Sequence, residues 1–298
     1  MKHLLSIESL AWPDMETILA DSAKLKKERG RHPGLPLAGQ SWAMLFSKSS
    51  TRTRVSFEVG IRELGGQPIF LPANEIQLGR GEPIKDTARV LGRMVHGAVF
   101  RTFAQGELEE FARFARIPTI NALTDREHPC QILADIFTFQ EARGSIRGKV
   151  VAFIGDGAGN VATSWIFAAE KAGFELRIAA PKDYQPPAGL RKRGKGNIVI
   201  TEDVKAAAAG ADLLYTDVWV SMGREKESAE RIRQMAGYQI NAGVVQLARP
   251  SVLVMHCLPA YRGKEIDEAT FEANAQTIFD QAENRLHVQK AILSWLVS

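Results

Sequence analysis

The chain has 298 residues, of which 45% are hydrophobic and 24% are charged, so it is long enough for one large or two ordinary domains with buried cores. Its 38 basic and 34 acidic residues give a net charge of +4, too small an excess to indicate a nucleic-acid-binding protein. The apolar runs are too short for a secretory signal or a membrane span. Only two cysteines occur, Cys130 and Cys257, which excludes a disulfide framework and makes a reducing cytoplasm the expected location.

Apolar runs typical of strands alternate with helical patterns along the whole chain. In the first half, SWAMLF, QPIFLP, GAVFRTF and IPTINAL predict strands, and helices are predicted near residues 53–64, 83–94, 106–115 and 129–142. After the polar segment RGSIRGK the pattern restarts. VVAFIGDG, ELRIAAP, NIVIT, DLLYTDV and VLVMHCLP predict further strands, with helices near 160–172, 203–210 and 265–274. This alternation is typical of parallel sheets that helices cover on both faces.

The predicted fold class is therefore α/β, with two doubly wound domains built on parallel sheets. We expect the first domain to contain residues 1–134 together with about 285–298, and the second to contain residues 135–284. The final segment, AENRLHVQKAILSWLV, predicts an amphipathic helix that packs back on the first domain.

The stretch SKSSTRTRVSFEVGIRELGG (47–66) predicts an anion-binding site. It places the hydroxyl side chains of Ser49, Ser50, Thr51 and Thr53 among cations directly before an amphipathic run that ends in a glycine pair. The first turn of a helix offers free backbone N–H groups and the positive end of the helix dipole, which attract phosphate or carboxylate. Arginine adds a planar fork that matches phosphate oxygens. An N-cap explains one hydroxyl residue, but not four that are interleaved with Arg52 and Arg54.

Other polar clusters also follow predicted strands, where ligands bind in open parallel sheets. Arg101 closes one strand, LTDREHPCQ with His128 and Gln131 follows another, and Arg285 is expected to open the last helix. In the second half, FIGDGAGN, YTDVWVSMG and MHCLPAYRG end strands in the same way. Read singly, Arg101 could be a surface residue, His128 a helix cap and Cys257 a buried apolar residue.

Dinucleotide, nucleoside triphosphate and metal sites are not predicted. GDGAGN lacks the G-x-G-x-x-G spacing, and the next strand, which runs into RIAAPKD, does not end in the acidic residue that a nicotinamide cofactor requires. The sequence contains no Walker lysine loop and no cluster with metal-ligand spacing. No cofactor is therefore expected, and the convergent donors favour a small dianion.

The motifs STRTR, HPCQ, DVWVSMG, HCLP and FDQAENRLHVQKAIL, with IQLGRGEPIKDTARVL, resemble the ornithine carbamoyltransferases over nearly the whole chain. STRTR and HPCQ-like segments are shared with the aspartate enzymes of the superfamily, whereas DVWVSMG and HCLP are typical of the ornithine branch. The resemblance implies transfer of a carbamoyl group from carbamoyl phosphate to the δ-amine of L-ornithine, in arginine biosynthesis. It also implies a homotrimer.

The same resemblance implies roles for individual residues. Those expected to bind carbamoyl phosphate are Ser50, Thr51, Arg52, Thr53, Gln77, Arg101, His128, Gln131, Cys257, Leu258 and Arg285. Of these, Arg101, His128, Cys257 and Arg285 are expected to be catalytic, and Gln77 is expected to reach the phosphate of a neighbouring subunit. Asn160, Asp217, Ser221 and Met222 are expected to bind ornithine. The Leu258–Pro259 peptide bond is expected to be cis.

Two positions depart from the family pattern. Ser47 stands where glutamate is common, and Gly159 replaces the first residue of a usual asparagine pair. The alternatives that remain are transfer to putrescine, an acylated ornithine or aspartate, and a non-catalytic anion-binding relative. Aspartate requires a basic pocket, putrescine offers no carboxylate to Asn160, and a non-catalytic relative would be expected to lose Arg101, His128 or Arg285. The sequence predicts no nucleic-acid or membrane partner.

Overall fold

The computed structural model describes residues 1–77, 81–191, 193, 197–221 and 227–298. They form two compact units, one made of Met1–Phe137 with Glu283–Ser298 and the other of Thr138–Ala282. Each unit contains one parallel sheet flanked by helices.

The sheet of the first unit contains four parallel strands in the order β2-β1-β3-β4. The strands are β1 (Ser41–Phe46), β2 (Gln67–Pro72), β3 (Gly97–Arg101) and β4 (Thr119–Leu123). The helices are α1 (Trp12–Lys27), α2 (Thr51–Glu63), α3 (Ile84–Leu91), α4 (Gln105–Ala115) and α5 (Pro129–Arg143), the last of which continues into the second unit. Because β1 is followed by β2 on one side and β3 lies on the other, the chain reverses its winding between β1 and β3. Ligands bind at such a switch point.

The interior of this sheet is tightly packed. β1 is buried from Trp42 onward, and a Cβ added to Gly97 would lie 2.5 Å from the Trp42 ring. Glycine is therefore required where β3 passes this indole, since the neighbouring strand leaves no room for a side chain. This packing fixes the level at which β3 ends, and with it the position of Arg101.

The sheet of the second unit contains five parallel strands in the order β7-β6-β5-β8-β9. The strands are β5 (Val150–Ile154), β6 (Glu175–Ala179), β7 (Ile198–Thr201), β8 (Leu213–Thr216) and β9 (Leu253–His256). The helices are α6 (Asn160–Ala172), α7 (Ala188–Arg191), α8 (Val204–Ala208), α9 (Ser228–Met235), α10 (Ala242–Val245) and α11 (Glu268–Ala273), and α12 (Ala275–Val297) ends in the first unit. The winding reverses between β5 and β8, so this sheet also has a switch point.

The predicted fold class is confirmed: both units are doubly wound α/β structures, and the end of α12 belongs to the first unit. The prediction that Arg285 opens the last helix was wrong, because α12 begins at Ala275 and continues without a break through Arg285. Its sequence from 275 to 284 contains no glycine or proline that would interrupt it. Among the described helices, none is long and apolar enough to cross a membrane.

Candidate functional site

The N-terminus of α2 lies at the switch point of the first sheet, directly after β1. Ser50 caps the helix, and its Oγ accepts a hydrogen bond from the Thr53 backbone N–H at 3.3 Å. The first turn contains no acidic residue, so its positive dipole is not compensated by a side chain of that turn. Thr51 is exposed and Arg52 is half-buried, whereas Thr53 is buried. The local structure therefore suits a negatively charged ligand.

Arg101 ends β3 on the other side of the same switch point, and its side chain is buried. Its Nε–H has no hydrogen-bond partner among the described residues. Burial and the positive charges of Arg285 and Arg52 lower the pKa of Arg101 to about 10. Three guanidinium groups therefore repel one another here, and a bound dianion would relieve that repulsion.

Arg285, on α12, is held against this cluster by two hydrogen bonds. Its Nη1 donates to Gln131 Oε1 at 2.6 Å and its Nη2 donates to Thr53 Oγ1 at 3.0 Å. Gln131 is fixed in turn, because its Nε2 donates to Asp135 Oδ1 at 2.8 Å. Arg285 therefore connects α12 with the start of α2 and the start of α5.

His128 precedes α5, and its backbone carbonyl accepts from the N–H groups of Gln131 and Ile132, so it also serves as the helix cap that the sequence suggested. Burial, with the charges of Arg285 and Arg101, holds the pKa of His128 well below its usual range. The ring is therefore neutral at pH 7. A neutral imidazole supplies one donor and one acceptor beside the arginines without adding a further charge.

Gln77, which was also predicted to bind phosphate, has no hydrogen bond to this cluster. It is exposed, it follows the turn Ala73–Glu75, and its side chain makes no hydrogen bond to another described residue. Its carbonyl accepts from the Glu82 N–H at 3.1 Å. Residues 78–80, in the motif IQLGRGEPIKDTARVL, lie outside the described residues.

In the second unit, the GDGAG turn leads from β5 into α6. Asp156 Oδ1 accepts from the Ala158 N–H at 3.1 Å, and Asp156 Oδ2 accepts from Arg231 at 2.8 Å. Gly159 is the N-cap of α6 and provides no capping side chain, and Asn160 is the first helical residue. Asn160 thus lies half-buried at a helix N-terminus, an environment that suits a carboxylate.

Asp217 follows β8, on the other side of the second switch point. Its Oδ1 accepts from the Val218 N–H at 2.7 Å and from the Cys257 thiol at 2.9 Å. Burial raises the pKa of the Asp217 carboxyl, although His256, Cys257 and the Val218 N–H partly oppose this. A cationic ligand would favour the ionised form. Ser221, four residues later, is half-buried, and Met222 lies outside the described residues.

Cys257 and Leu258 follow β9 in the same unit. The Leu258–Pro259 bond is cis, as predicted, and Leu258 has a positive φ of 61°. Cys257 is half-buried and donates to Asp217, whereas Cys130 is fully buried and burial raises its pKa to about 12. Cys257 is therefore the more accessible of the two thiols.

The structure also brings together three potential metal ligands, one of which is too far from the others in the sequence for their spacing to reveal the group. Ligand atoms of Asp217, His256 and Cys257 lie within 4.8 Å of one another, although Asp217 is about forty positions away in sequence. Both ring nitrogens of His256 already have hydrogen-bond partners, Leu258 N and Glu265 Oε1. A metal ion could bind His256 only by displacing the Leu258 N–H or Glu265 from the ring. Without that displacement, this group offers only the Asp217 and Cys257 side chains as ligands.

His256 and Glu265 are the residues of this site that the sequence analysis did not single out. Both side chains are fully buried and lie 3.1 Å apart. His256 stood within the HCLP motif, but Glu265 follows nine residues after His256, in a polar stretch with no recognisable pattern.

Comparison with known proteins identifies both units. Residues 2–141 match the carbamoyl-P binding domain of the aspartate/ornithine carbamoyltransferases, and residues 147–296 match the Asp/Orn binding domain. The chain is 54% identical to an ornithine carbamoyltransferase of Akkermansia muciniphila, over 99% of this chain and 98% of that protein. The fold is similar to the anabolic ornithine carbamoyltransferase of Campylobacter jejuni (TM-score 0.94, 40% identity, 99% of each chain covered). It is also similar to the Pyrococcus furiosus enzyme (TM-score 0.92, 40% identity, 98% and 96% covered).

Proposed function

This chain belongs to the aspartate/ornithine carbamoyltransferase family, and on that premise we propose that it transfers the carbamoyl group of carbamoyl phosphate to the δ-amine of L-ornithine. The products are L-citrulline and phosphate. The relatives that match over the full length support this choice of acceptor, since they are ornithine carbamoyltransferases.

The observation that carries the proposal is the buried Arg101, whose Nε–H lacks a partner among the described residues while two further arginines raise the local positive potential. Such an arrangement is costly unless a ligand with strong acceptors occupies it. Carbamoyl phosphate offers a phosphate for the N-terminus of α2 and for Arg52, and a carbonyl oxygen for Arg101, His128 and Arg285.

The reaction requires the protein to stabilise developing negative charge, and it does not require a nucleophile from the protein. The neutral δ-amine attacks the carbamoyl carbon, a C–N bond forms, the C–O bond to phosphate breaks, and the proton lost by the amine is taken up by the leaving phosphate. Negative charge grows first on the carbonyl oxygen and then on the leaving phosphate. Donors that are already oriented toward these oxygens stabilise that charge, each by about 3 kcal/mol. Arg101, His128 and Arg285 are of the right type for this role.

The amino acid is assigned to the second unit. A carboxylate suits Asn160 at the N-terminus of α6, and an α-ammonium suits Asp217 together with Ser221. Cys257 donates to Asp217 and is assigned a place beside the δ-amine, where it acts as a polar neighbour without forming a covalent bond. Met222 is assigned to the same site from the family resemblance alone.

We further propose a homotrimer in which Gln77 completes the phosphate site of a neighbouring chain. β2 is an edge strand of its sheet, and Ile69 on β2 and Val55 on α2 are exposed apolar side chains. Unpaired strand edges with exposed apolar residues favour association. A role in arginine biosynthesis in the cytoplasm belongs to the same proposal.

A citrulline assay with a panel of acceptors tests the proposed function. The purified protein and carbamoyl phosphate are incubated with ornithine, putrescine, N-acetylornithine or aspartate, and the carbamoylated products are separated and measured. Ornithine is expected to give the highest kcat/KM by at least about 100-fold, since Asp217 and Asn160 select both charged groups of an α-amino acid. A preference for any other acceptor, or no transfer at all, would refute the assignment.

A further inference from the structure

One buried carboxylate holds both ends of the loop that presents Cys257 and Leu258. We call residues 257–261 the Cys257 loop. Glu265 Oε1 lies 3.1 Å from His256 Nε2, just before the loop, and accepts from the Tyr261 N–H at 2.6 Å at its other end. The Glu265 backbone is anchored as well, because its carbonyl accepts from the Ile240 N–H at 2.9 Å. The Glu265 side chain therefore holds both ends of the Cys257 loop.

The hydrogen bonds determine the tautomer of His256. The Leu258 N–H donates to His256 Nδ1 at 2.8 Å, so Nδ1 must be the unprotonated acceptor. The ring proton is then on Nε2 and is donated to Glu265. A continuous chain of contacts runs from Glu265 through His256 to the backbone of Leu258.

This chain of contacts controls a backbone conformation that leucine does not adopt readily. Leu258 has φ +61°, in the left-handed region that normally favours glycine. The bond from its N–H to His256 holds it there. The preceding residue, Cys257, is oriented at the same time, since its thiol donates to Asp217 Oδ1.

We propose that Glu265 is a positioning residue for carbamoyl transfer, which acts through the His256 ring to fix the Leu258 carbonyl beside the carbamoyl group and the Cys257 thiol beside the reacting δ-amine. This inference rests on the proposed function. Stability alone accounts poorly for the arrangement, because Glu265 Oε2 is buried with no hydrogen-bond partner in the described part of the chain. A buried carboxylate oxygen without a hydrogen-bond partner lowers the free energy of unfolding.

Glu265→Gln is the direct test, with Glu268→Gln as the matched control. Glu268 lies three residues later, on the surface, where it pairs with Arg262. We expect Glu265→Gln to lower kcat about 10–100-fold, as when a partner that orients a functional histidine is removed. The KM for carbamoyl phosphate is expected to stay within about twofold of the wild-type value, and Glu268→Gln should behave as wild type.

Two substitutions of His256 each keep one of the two hydrogen bonds made by its ring and remove the other. In His256→Asn the amide oxygen occupies the place of Nδ1 and keeps the bond to Leu258, whereas in His256→Gln the amide nitrogen occupies the place of Nε2 and keeps the bond to Glu265. If the contacts act as one chain, both variants lose kcat. Adding Glu265→Gln to His256→Asn should then change kcat by less than about twofold, because the link is already broken.

The reactivity of the Cys257 thiol distinguishes a positioning role of Glu265 from a general loss of stability in the folded variant, which would leave that reactivity unchanged. Alkylation by iodoacetamide reports on Cys257, since Cys130 is fully buried with a pKa of about 12. We expect its rate to change several-fold in folded Glu265→Gln, and not in Glu268→Gln.

The outcomes separate the two proposals. A wild-type protein that makes no citrulline refutes the proposed function. An active wild type whose kcat survives Glu265→Gln refutes the positioning role alone, as does a loss of thermal stability with unchanged kcat and thiol reactivity. If Glu265→Gln does not fold, the two His256 variants decide: wild-type-like kcat in His256→Asn, which has lost the bond to Glu265, overturns the proposal, and a loss of kcat in both His256→Asn and His256→Gln upholds it.

Discussion

Arg101 and Asp217 occupy similar positions in their two sheets, but they suit ligands of opposite charge. Each lies at the carboxyl end of a buried strand, at the switch point of its own sheet. Burial and the nearby charges of Arg285 and Arg52 lower the pKa of Arg101, and burial raises the pKa of Asp217. Both groups are thus destabilised in their charged forms until an ion of opposite sign binds.

Asp217→Asn should weaken binding of the amino acid and spare carbamoyl phosphate. Asparagine can still accept from the Val218 N–H, but it lacks the charge that pairs with an α-ammonium. Loss of this pair is expected to cost about 2–4 kcal/mol. The measurement is calorimetric: carbamoyl phosphate is titrated into the variant, and norvaline, which keeps both α-groups but cannot react, is titrated into that complex.

Asp212→Asn is the control for this measurement. Asp212 lies at the opposite end of β8, where it accepts from the Val150 N–H and pairs with Arg249. Its substitution should leave norvaline binding unchanged. Norvaline affinity in Asp217→Asn equal to that of the wild type would remove Asp217 from the amino-acid site.

Glu127 should make the stability of the protein depend on pH. It is fully buried and accepts from the Ile7 N–H at 2.7 Å. Burial raises its pKa from 4.5 to about 7, so the folded state holds the proton more tightly than the unfolded state. Its contribution is therefore complete below pH 4.5 and is lost as the pH rises through 7, a decrease of about 3 kcal/mol in the free energy of unfolding.

Thermal unfolding of Glu127→Gln checks this expectation. The variant should gain melting temperature over the wild type at pH 8 by several degrees more than at pH 5, because glutamine cannot ionise. Glu109→Gln, at an exposed position on α4, should show no such difference. Parallel pH profiles for wild type and Glu127→Gln would mean that this carboxyl is not protonated near neutrality.

At the scale of elements, α2 and α12 are held together by a buried ion pair. Lys290 on α12 is fully buried, and its Nζ donates to Glu63 Oε2 at 2.6 Å and contacts His32 Nε2 at 3.0 Å. The helices also approach closely, since a Cβ added to Gly60 would lie 3.2 Å from Lys290 Cγ. This packing fixes the register between Arg285 on α12 and Thr53 on α2, which are hydrogen-bonded.

Removing the two partners of this pair should have unequal effects. Lys290→Met leaves Glu63 partly exposed and paired with Arg29, so it should cost about 1 kcal/mol. Glu63→Leu leaves the Lys290 ammonium buried beside a histidine, so it should cost about 3–5 kcal/mol. Urea unfolding measures both, and the double variant should be more stable than Glu63→Leu. Equal costs would contradict this picture of the pair.

The sequence predicted the elements well where one periodicity dominates. All nine strands of the described residues were predicted from apolar runs, and α2, α5 and α6 from helical spacing. α1 was missed because its apolar residues are sparse, and the short α9 and α10 have too few turns to show a period. The bonds from Arg285 to Thr53 and Gln131, and the His256–Glu265 pair, could not be predicted, because they depend on packing between segments far apart in sequence or without a pattern.

At the scale of the whole molecule, the proposed trimer makes each phosphate site depend on Gln77 of another chain. Gln77→Ala and Arg52→Ala should each form trimers of low activity, because one lacks the donor from the neighbour and the other lacks the guanidinium fork. Light scattering should give at least the trimer mass for both variants.

Hybrid trimers test the sharing directly. When the two inactive variants are dissociated, mixed and reassembled, some sites receive an intact Arg52 from one chain and an intact Gln77 from another. Activity should therefore reappear in the mixture, and not when either variant is treated alone. An active monomer, or a mixture without recovered activity, would show that Gln77 does not act across chains.

The central claim, carbamoyl transfer to the δ-nitrogen of ornithine, is tested most directly by following one bond. Carbamoyl phosphate labelled with ¹³C is incubated with the protein and with ornithine labelled with ¹⁵N at the δ-position, and the product is observed by ¹³C NMR. We predict a ureido carbon split by its coupling to ¹⁵N, and an unsplit signal when the label is at the α-nitrogen. A carbon coupled to the α-nitrogen, or ¹³C recovered only as breakdown products of carbamoyl phosphate, would contradict the account.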